Sequence, residues 1–321
     1  MSRYLITVLL ISLLSCNMPS KDASDKIVVA HRGASGYVPE HTMESKTMAH
    51  AMNADYIEQD LVLSKDDVPI VIHDIYLGEV TNVASLYPDM SRKDGRFYVI
   101  DFTFAQLMTL SVNERINYKT KKAVFPNRFP LKESSFKLHS LQQEIEVIQG
   151  LNKSTGKNIG IYPEIKNPSF HKEQGKDISK IVLQILSDYG YREKSDACIL
   201  QCFDAMELQR IREELKCNLF LTQLLEFPEG SEHLEKYASY ADAIGPSIEQ
   251  LLLAGMGKTK GNSLVDKAHE LNLKVHAYTF RQDEHPNFDD FEALLQFGFY
   301  DINLDGGFTD FPDTVINFLK E

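Results

Sequence analysis

Short apolar segments alternate with longer amphipathic segments along most of the chain. The apolar segments are rich in β-branched residues and have the length of strands; they cover residues 28–31, 56–63, 159–165, 198–203, 219–225, 243–246, 274–280 and 302–311. The amphipathic segments repeat apolar residues every three or four positions, which predicts helices with one buried face; they cover residues 41–52, 141–151, 177–189, 205–215, 232–240, 261–271 and 288–297. Eight strands alternating with helices in 321 residues predict an α/β fold, and a (β/α)8 TIM barrel is favoured over a doubly wound sheet.

Two segments depart from this alternation. Residues 64–69 are too few to hold a crossover helix, so residues 69–74 are expected to return antiparallel as a hairpin arm outside the eight barrel strands. Residues 77–138 have weak periodicity and many turn-forming residues, which indicates an insertion after the second strand on the ligand-binding face. We refer to residues 77–138 as the insertion and treat it as a subdomain within one domain, residues 27–321.

Charged side chains stand where the predicted strands end, and parallel α/β folds gather their ligands at this edge. His31 and Arg32 follow the first strand, and Glu58 and Asp60 lie two apart, hence on one face, of the second. Two neighbouring carboxylates repel each other, and a bound cation is the usual remedy. Glu164 on the third barrel strand would add another oxygen ligand. Three carboxylates without cysteine or a close histidine pair favour Ca²⁺ or Mg²⁺ over zinc.

Further polar residues are expected at the same edge. Lys166 shares a face with the third carboxylate and would meet an anionic substrate, and His73 ends the hairpin arm above the barrel mouth. Gln201 ends a strand, and His276 alternates with Tyr278 on a face expected to point into the mouth. Gln201 and Tyr278 are therefore candidates for substrate binding. Asp74 is expected to hold a loop, and His41 to open the first helix in a structural role. Five further histidines are expected to lie on the surface or in loops: His139, His171, His233, His269 and His285.

Composition and charge narrow the classes of function. The chain is 43% hydrophobic and 25% charged, so it can bury a full core and is not disordered. Its formal net charge of -12 and sequence pI of about 5.3 argue against nucleic-acid binding and against electrostatic docking on anionic lipid.

The N-terminus predicts export. Arg3 precedes an apolar run at residues 4–14, which is too short to span a membrane and fits a secretory signal peptide at residues 1–15. Cys16 follows a small residue, as in a bacterial lipobox, so lipidation of Cys16 is expected, with simple cleavage or a retained helical anchor as alternatives. Residues 16–26 would then be a tether, and the lipid anchor would be the membrane contact of a protein in the periplasm or cell envelope. The other cysteines are expected to be buried free thiols: Cys198, Cys202 and Cys217.

Seven motifs in order resemble the glycerophosphodiester phosphodiesterase family. They are His31-Arg32-Gly33-Ala34-Ser35, Pro39-Glu40-His41-Thr42, Glu58-x-Asp60, Lys65-Asp66-Asp67, His73-Asp74, Glu164-x-Lys166 and Phe308-Thr309-Asp310-Phe311-Pro312. The resemblance extends from about residue 26 to residue 318 and favours the periplasmic or surface-lipoprotein branch. One departure is Asp67, where many members have glycine. Asp310 is a candidate partner of a site residue.

The resemblance implies a TIM barrel with a divalent metal ion, Ca²⁺ or alternatively Mg²⁺. The implied metal ligands are Glu58, Asp60 and Glu164, and the implied general acid and base are His31 and His73, with their order left open. The implied contacts to the substrate phosphate are Arg32 and Lys166.

The implied reaction is hydrolysis of a small glycerophosphodiester to sn-glycerol 3-phosphate and an alcohol such as choline, ethanolamine or glycerol. Water attack and a cyclic phosphate intermediate are both open, as is the oligomeric state. A phospholipase C or D acting on intact lipid is an alternative. It would need an apolar rim, for which the insertion offers six phenylalanines: Phe97, Phe102, Phe104, Phe125, Phe129 and Phe136. A surface-binding lipoprotein, or adhesin, is a second alternative.

Overall fold

The computed structural model describes residues 26–131, 135–226, 232–255, 262–285 and 287–321. The predicted signal peptide, Cys16 and all but the last residue of the predicted tether lie outside these ranges. Within the ranges, no helix has the length and apolar character needed to cross a membrane.

Nine strands form one sheet, which closes into a barrel. They are β1 (Ile27–Ala30), β2 (Tyr56–Leu63), β3 (Pro69–Val71), β4 (Gly160–Ile165), β5 (Ile199–Cys202), β6 (Phe220–Leu224), β7 (Ala243–Gly245), β8 (Lys274–Phe280) and β9 (Gly306–Thr309). All except β3 run parallel, in the order β1-β9-β8-β7-β6-β5-β4-β2, and a β1–β2 pairing closes the ring. The predicted eight-stranded parallel barrel is confirmed.

Helices connect the barrel strands. They are α1 (Met43–Ala51), α2 (Val83–Leu86), α3 (Phe104–Leu107), α4 (Leu141–Thr155), α5 (Pro168–Glu173), α6 (Ile178–Asp188), α7 (Ala205–Glu213), α8 (Leu234–Tyr237), α9 (Ile248–Ala254), α10 (Ser263–Glu270), α11 (Phe291–Gln296) and α12 (Pro312–Lys320). The predicted helix segments did not include α5, α9 and α12, nor the short α2 and α3 of the insertion. Side-chain caps fix several starts, as at α4, where Ser140 and Gln143 form a capping box.

One edge of β2 pairs with both β1 and β3, because β2 is longer than β1. Its start pairs with β1 at Tyr56 and Ile57, and its end pairs antiparallel with β3 through Leu61 and Val71. The hairpin arm therefore lies where the short connection predicts. It carries the chain past the barrel rim and into the insertion.

The insertion has its own apolar core, separate from the core between barrel and helices. Short helices and 3-10 turns build it (α2, α3, Pro88–Met90 and Val99–Asp101). Phe97 and Phe102 are buried in this core, and Phe104 and Phe136 pack against it. These four phenylalanines therefore stabilise the insertion itself rather than forming the apolar rim that the lipid-cleaving alternative would need.

Among the described residues, three cysteines are free and buried, as predicted: Cys198, Cys202 and Cys217.

Candidate active site

Three buried carboxylates meet at the carboxyl end of the barrel. Asp60 on β2 lies directly beside Glu164 on β4, and Glu58 precedes Asp60 by two residues, so all three share the inner face. One oxygen from each lies within 4.8 Å of the others. This arrangement brings together the three residues that the sequence predicts as metal ligands.

The electrostatics of this cluster suit a cation. Burial, with Asp60 nearby, raises the pKa of Glu58 and raises that of Glu164 well above its usual range. Burial also opposes ionisation of Asp60, but Lys166 and a hydrogen bond from His41 hold its pKa well below normal. Asp60 Oδ1 is buried and, among the described residues, accepts no hydrogen bond. An oxygen-rich cluster with this unsatisfied acceptor fits a hard divalent ion such as Ca²⁺ or Mg²⁺.

A cavity of about 520 Å³ opens over the carboxylates. Its polar side consists of the three acids with His31, Arg32, His73 and Lys166. The lining also contains apolar side chains from β6, β8, α9 and the segments that follow β5 and β8: Phe203, Leu224, Ile248, Leu252, Tyr278 and Phe288. Polar residues such as Glu249 and Arg281 lie among them. The cavity therefore combines charged groups that can bind an anionic group with apolar contacts for the rest of a small molecule.

His31 follows β1 and is held by an acid from the other end of the chain. Its Nδ1 lies 2.5 Å from Asp310 Oδ1, and its Nε2 lies 3.8 Å from Glu58 Oε2. Asp310 Oδ2 accepts hydrogen bonds from Arg128 at 2.7 Å and Arg281 at 2.9 Å. Although Asp310 is buried, His31 and the two guanidinium groups hold its pKa far below normal. Asp310 is thus the partner that orients His31, with Nε2 directed to the acid cluster.

His73 follows the hairpin arm and also pairs with an acid. Its Nδ1 lies 2.9 Å from Asp74 Oδ1, and Asp74 Oδ2 accepts a hydrogen bond of 2.6 Å from Arg115. Asp74 therefore contacts a candidate catalytic side chain. From the sequence, Asp74 is expected only to hold a loop, and this contact is not predicted. Burial, together with the cations Arg32 and Lys166, lowers the pKa of His73 to about 4.

Arg32 and Lys166 border the acid cluster in the cavity, and their predicted contacts to a substrate phosphate stay predictions. Arg32 donates from its terminal nitrogen to both oxygens of Glu40 at 3.0 Å, and its Nε lies 3.6 Å from Asp60 Oδ2. That Nε is buried and forms no hydrogen bond with any described residue. Lys166 Nζ lies 2.8 Å from Glu164, and the carboxylates raise its pKa although burial opposes this.

Gly33 makes the sharp turn after Arg32 possible. Its φ is +93°, and a Cβ there would come within 2.5 Å of Ser45 Oγ and 2.8 Å of the Ser45 carbonyl carbon. Only glycine adopts this left-handed backbone without strain and also avoids the steric clash with Ser45. The turn lets the Arg32 backbone N–H donate to Glu58 Oε2 at 2.9 Å.

Gln201 and Tyr278 both line the cavity, and their predicted substrate-binding roles stay predictions. Gln201 donates to Glu58 Oε1 at 3.1 Å, so it also orients a candidate metal ligand. Tyr278 donates its hydroxyl to the Leu225 carbonyl at 2.6 Å. The expectation that His276 points into the mouth is wrong. It lies deeper in the barrel, 3.0 Å from the Tyr162 hydroxyl.

Sequence reasoning also missed several contacts to this site. His41 Nε2 lies 2.7 Å from Asp60 Oδ2, and burial beside Lys46 lowers the pKa of His41 to about 3, so it is a neutral donor. In the sequence, the Pro39-Glu40-His41-Thr42 motif was the one signal that could have indicated a role for His41 at the site. His139 and His171 are buried rather than superficial, and His285 lines the cavity. His139 Nε2 lies 2.7 Å from Glu144 in a second buried pair behind β2.

Comparisons with known proteins agree with this geometry. The sequence profile of the glycerophosphoryl diester phosphodiesterase family matches residues 31–314. The chain is 44% identical to a glycerophosphodiester phosphodiesterase of Haemophilus influenzae, covering 92% of this chain and 90% of the relative. It is 36% identical to a glycerophosphodiester phosphodiesterase of Treponema pallidum, covering 92% of each protein.

Solved structures share the fold. A glycerophosphoryl diester phosphodiesterase from Silicibacter pomeroyi superposes with a TM-score of 0.71 at 21% identity, covering 92% of this chain and 93% of that one. A phosphodiesterase from Oleispira antarctica, in complex with the product sn-glycerol-3-phosphate, superposes with a TM-score of 0.64 at 18% identity, covering 94% and 100%.

Proposed function

Because the chain belongs to the glycerophosphoryl diester phosphodiesterase family, we propose that its cavity hydrolyses a small glycerophosphodiester to sn-glycerol 3-phosphate and an alcohol. The observation that carries the proposal is the meeting of three buried carboxylates beside two acid-paired histidines in one cavity. Such a set of groups is suited to phosphate-ester chemistry. Glycerophosphodiester phosphodiesterase activity is thus the function that sequence and site support together.

Glu58, Asp60 and Glu164 would hold one divalent ion, and we propose Ca²⁺, with Mg²⁺ as the alternative. When bound, the ion would offset the charge of the phosphodiester oxygens and favour the transition state, in which that charge increases. Arg32 and Lys166 would contact the same oxygens from the protein side. Lys166 would exchange part of its pairing with the carboxylates for the substrate phosphate.

His31 and His73 would move the two protons that the reaction requires. One imidazole accepts a proton from the attacking hydroxyl as its oxygen bonds to phosphorus. The other donates a proton to the alcohol oxygen as its bond to phosphorus breaks. The acids Asp310 and Asp74 hold both Nδ1 atoms, which leaves both Nε2 atoms for the reacting groups.

A metal-exchange assay tests the proposal. The protein is stripped with EDTA, dialysed, and assayed for release of sn-glycerol 3-phosphate from glycerophosphocholine with added Ca²⁺ or Mg²⁺. We expect activity to disappear on stripping and to return with one of the two ions. Glu164→Gln should weaken the response to metal, whereas Glu207→Gln, at a buried glutamate outside the cavity, should retain it. Full activity in stripped protein shown to be metal-free would contradict the proposal.

Neither alternative function has an observation in its favour. The four phenylalanines that pack into the insertion are not available to line a rim for acyl chains. Assays with glycerophosphocholine and with its diacyl parent test whether the protein acts on intact lipid. We expect it to cleave glycerophosphocholine and not the diacyl parent. A surface-binding role would be compatible with catalysis and would be tested separately.

On the sequence of residues 1–26, we propose that the protein is exported and lipid-anchored at Cys16. We expect cells given a labelled fatty acid to incorporate the label into the wild-type protein and not into Cys16→Ala. Loss of the label in the variant together with release from membranes would support an anchor at Cys16. Unchanged membrane association without label in either protein would contradict it.

A further inference from the structure

Two arginines of the insertion reach the barrel at widely separated points. Arg115 donates from its Nη1 to Asp74 at 2.6 Å and from Nε and Nη2 to Glu40 at 2.8 and 2.6 Å. Arg128 donates from Nη2 to Asp310 at 2.7 Å and pairs with Asp283 at 2.8 and 2.9 Å. Their side chains are only 13% and 5% exposed. Arg115 also donates to Glu79 within the insertion at 3.1 Å, and the other acids that bind the two arginines lie outside the insertion.

The two contacts have the same form. Asp74 uses one oxygen for His73 Nδ1 and the other for Arg115. Asp310 uses one oxygen for His31 Nδ1 and the other for Arg128. In each case an arginine of the insertion fixes the carboxylate that fixes a histidine.

We propose that the insertion positions both catalytic histidines, Arg115 acting through Asp74 and Arg128 acting through Asp310. This inference rests on the proposed function, because it takes His31 and His73 as the acid and base. Arg115 and Arg128 are positioning residues, since neither lines the cavity.

The physical reason is that a carboxylate largely removed from water, such as Asp74 (25% exposed) or Asp310 (2% exposed), needs a fixed counter-charge to stay ionised and in one rotamer. Charge-assisted hydrogen bonds to guanidinium groups supply both the charge and the direction. A carboxylate free to rotate would let its imidazole turn away from the phosphate. Displacement of a reacting group by about 1 Å can cost about 10²-fold in rate.

The two arrangements differ in redundancy. Asp310 also accepts a hydrogen bond of 2.9 Å from Arg281, which follows β8 of the barrel. Among the described residues, Arg115 is the arginine that contacts Asp74, and it also holds the Glu40 that pairs with Arg32. Loss of Arg115 should therefore affect both rate and substrate affinity, and loss of Arg128 mainly the rate.

Steady-state kinetics of the full chain test the inference. We expect Arg128→Met to lower kcat about 10-fold with little change in KM, and Arg115→Met to lower kcat about 10²-fold and raise KM. Arg128→Lys should recover part of kcat because it restores the charge without the two-pronged guanidinium. The matched control is Arg92→Met, because Arg92 pairs with Asp101 in the same insertion at 2.7 and 2.8 Å, away from both histidines. Its activity should be unchanged.

A double-mutant cycle separates positioning from general damage to the fold. If Arg128 acts through Asp310, Arg128→Met should add almost nothing to the loss already caused by Asp310→Asn. Multiplicative losses, an equal loss in Arg92→Met, or an unchanged kcat in Arg128→Met would each overturn the inference. Thermal unfolding identifies variants that do not fold. If Arg128→Met is one of them, the kcat of Arg128→Lys decides whether the inference holds. If the wild-type chain cleaves no glycerophosphodiester, the proposed function fails instead.

Discussion

Replacing His41 by leucine tests whether a buried hydrogen bond prepares Asp60 for metal. His41 Nε2 lies 2.7 Å from Asp60 Oδ2, and both side chains are almost fully buried. A hydrogen bond to a charged group contributes about 1.5–3 kcal/mol to the free energy of unfolding. Partners that orient metal ligands typically change metal affinity about 10–100-fold, or about 1.4–2.7 kcal/mol. We therefore expect His41→Leu to lower both stability and Ca²⁺ affinity by these amounts.

His139→Leu is the matched control. His139 Nε2 also lies 2.7 Å from a buried carboxylate, that of Glu144, but outside the cavity. Its loss should lower the free energy of unfolding by a similar amount, about 1.5–3 kcal/mol, and leave Ca²⁺ affinity unchanged. His41→Gln should recover affinity, because its amide nitrogen can donate from nearly the same position.

The measurements are calorimetric titration of EDTA-stripped protein with Ca²⁺ at pH 7.5 and urea unfolding without metal. Stability alone does not discriminate, because His41 has a φ of +55° and leucine tolerates that backbone less well than histidine. Equal Ca²⁺ affinity in His41→Leu and the wild type would refute the reasoning. An equal loss of affinity in His139→Leu would do so too.

Three other predictions concern catalysis, pH and the backbone. His31→Ala or His73→Ala should each lower kcat at least about 10²-fold, and full activity in either variant would remove that histidine from the mechanism. Burial beside Glu40 raises the pKa of Glu114 to about 7 from the usual 4.5, so its contribution to stability is present below pH 4.5 and lost as the pH rises through 7. Glu114→Gln should thus raise the free energy of unfolding by about 1–3 kcal/mol at pH 8 and by nearly nothing at pH 4, and an equal effect at both pH values would exclude this titration. Gly33→Ala should cost about 1–3 kcal/mol in urea unfolding and lower activity as well, whereas an unchanged midpoint would show that the turn can relax.

Much of the fold was determined by local patterns in the sequence. Alternation of strand and helix segments predicts the barrel, because the spacing of apolar residues indicates the type of each element and which of its faces is buried. A period of two places Glu58 and Asp60 on one face, and the short connection after β2 predicts the antiparallel arm. The predicted metal ligands meet because each is placed by a local pattern near the end of β2 or β4, and these two strands are neighbours.

The partners of the site depend on the tertiary structure instead. Period two indicates that His276 faces the barrel axis but not how deep it lies, and packing sets it below the mouth beside Tyr162. Asp310 is 279 residues from His31, and Arg128 is 182 residues from Asp310, so no local spacing relates them. The insertion has weak periodicity because its short helices are stabilised mainly by a shared core. Local residue types thus determined the candidate chemistry, whereas the closed barrel and the folded insertion decided which charges orient it.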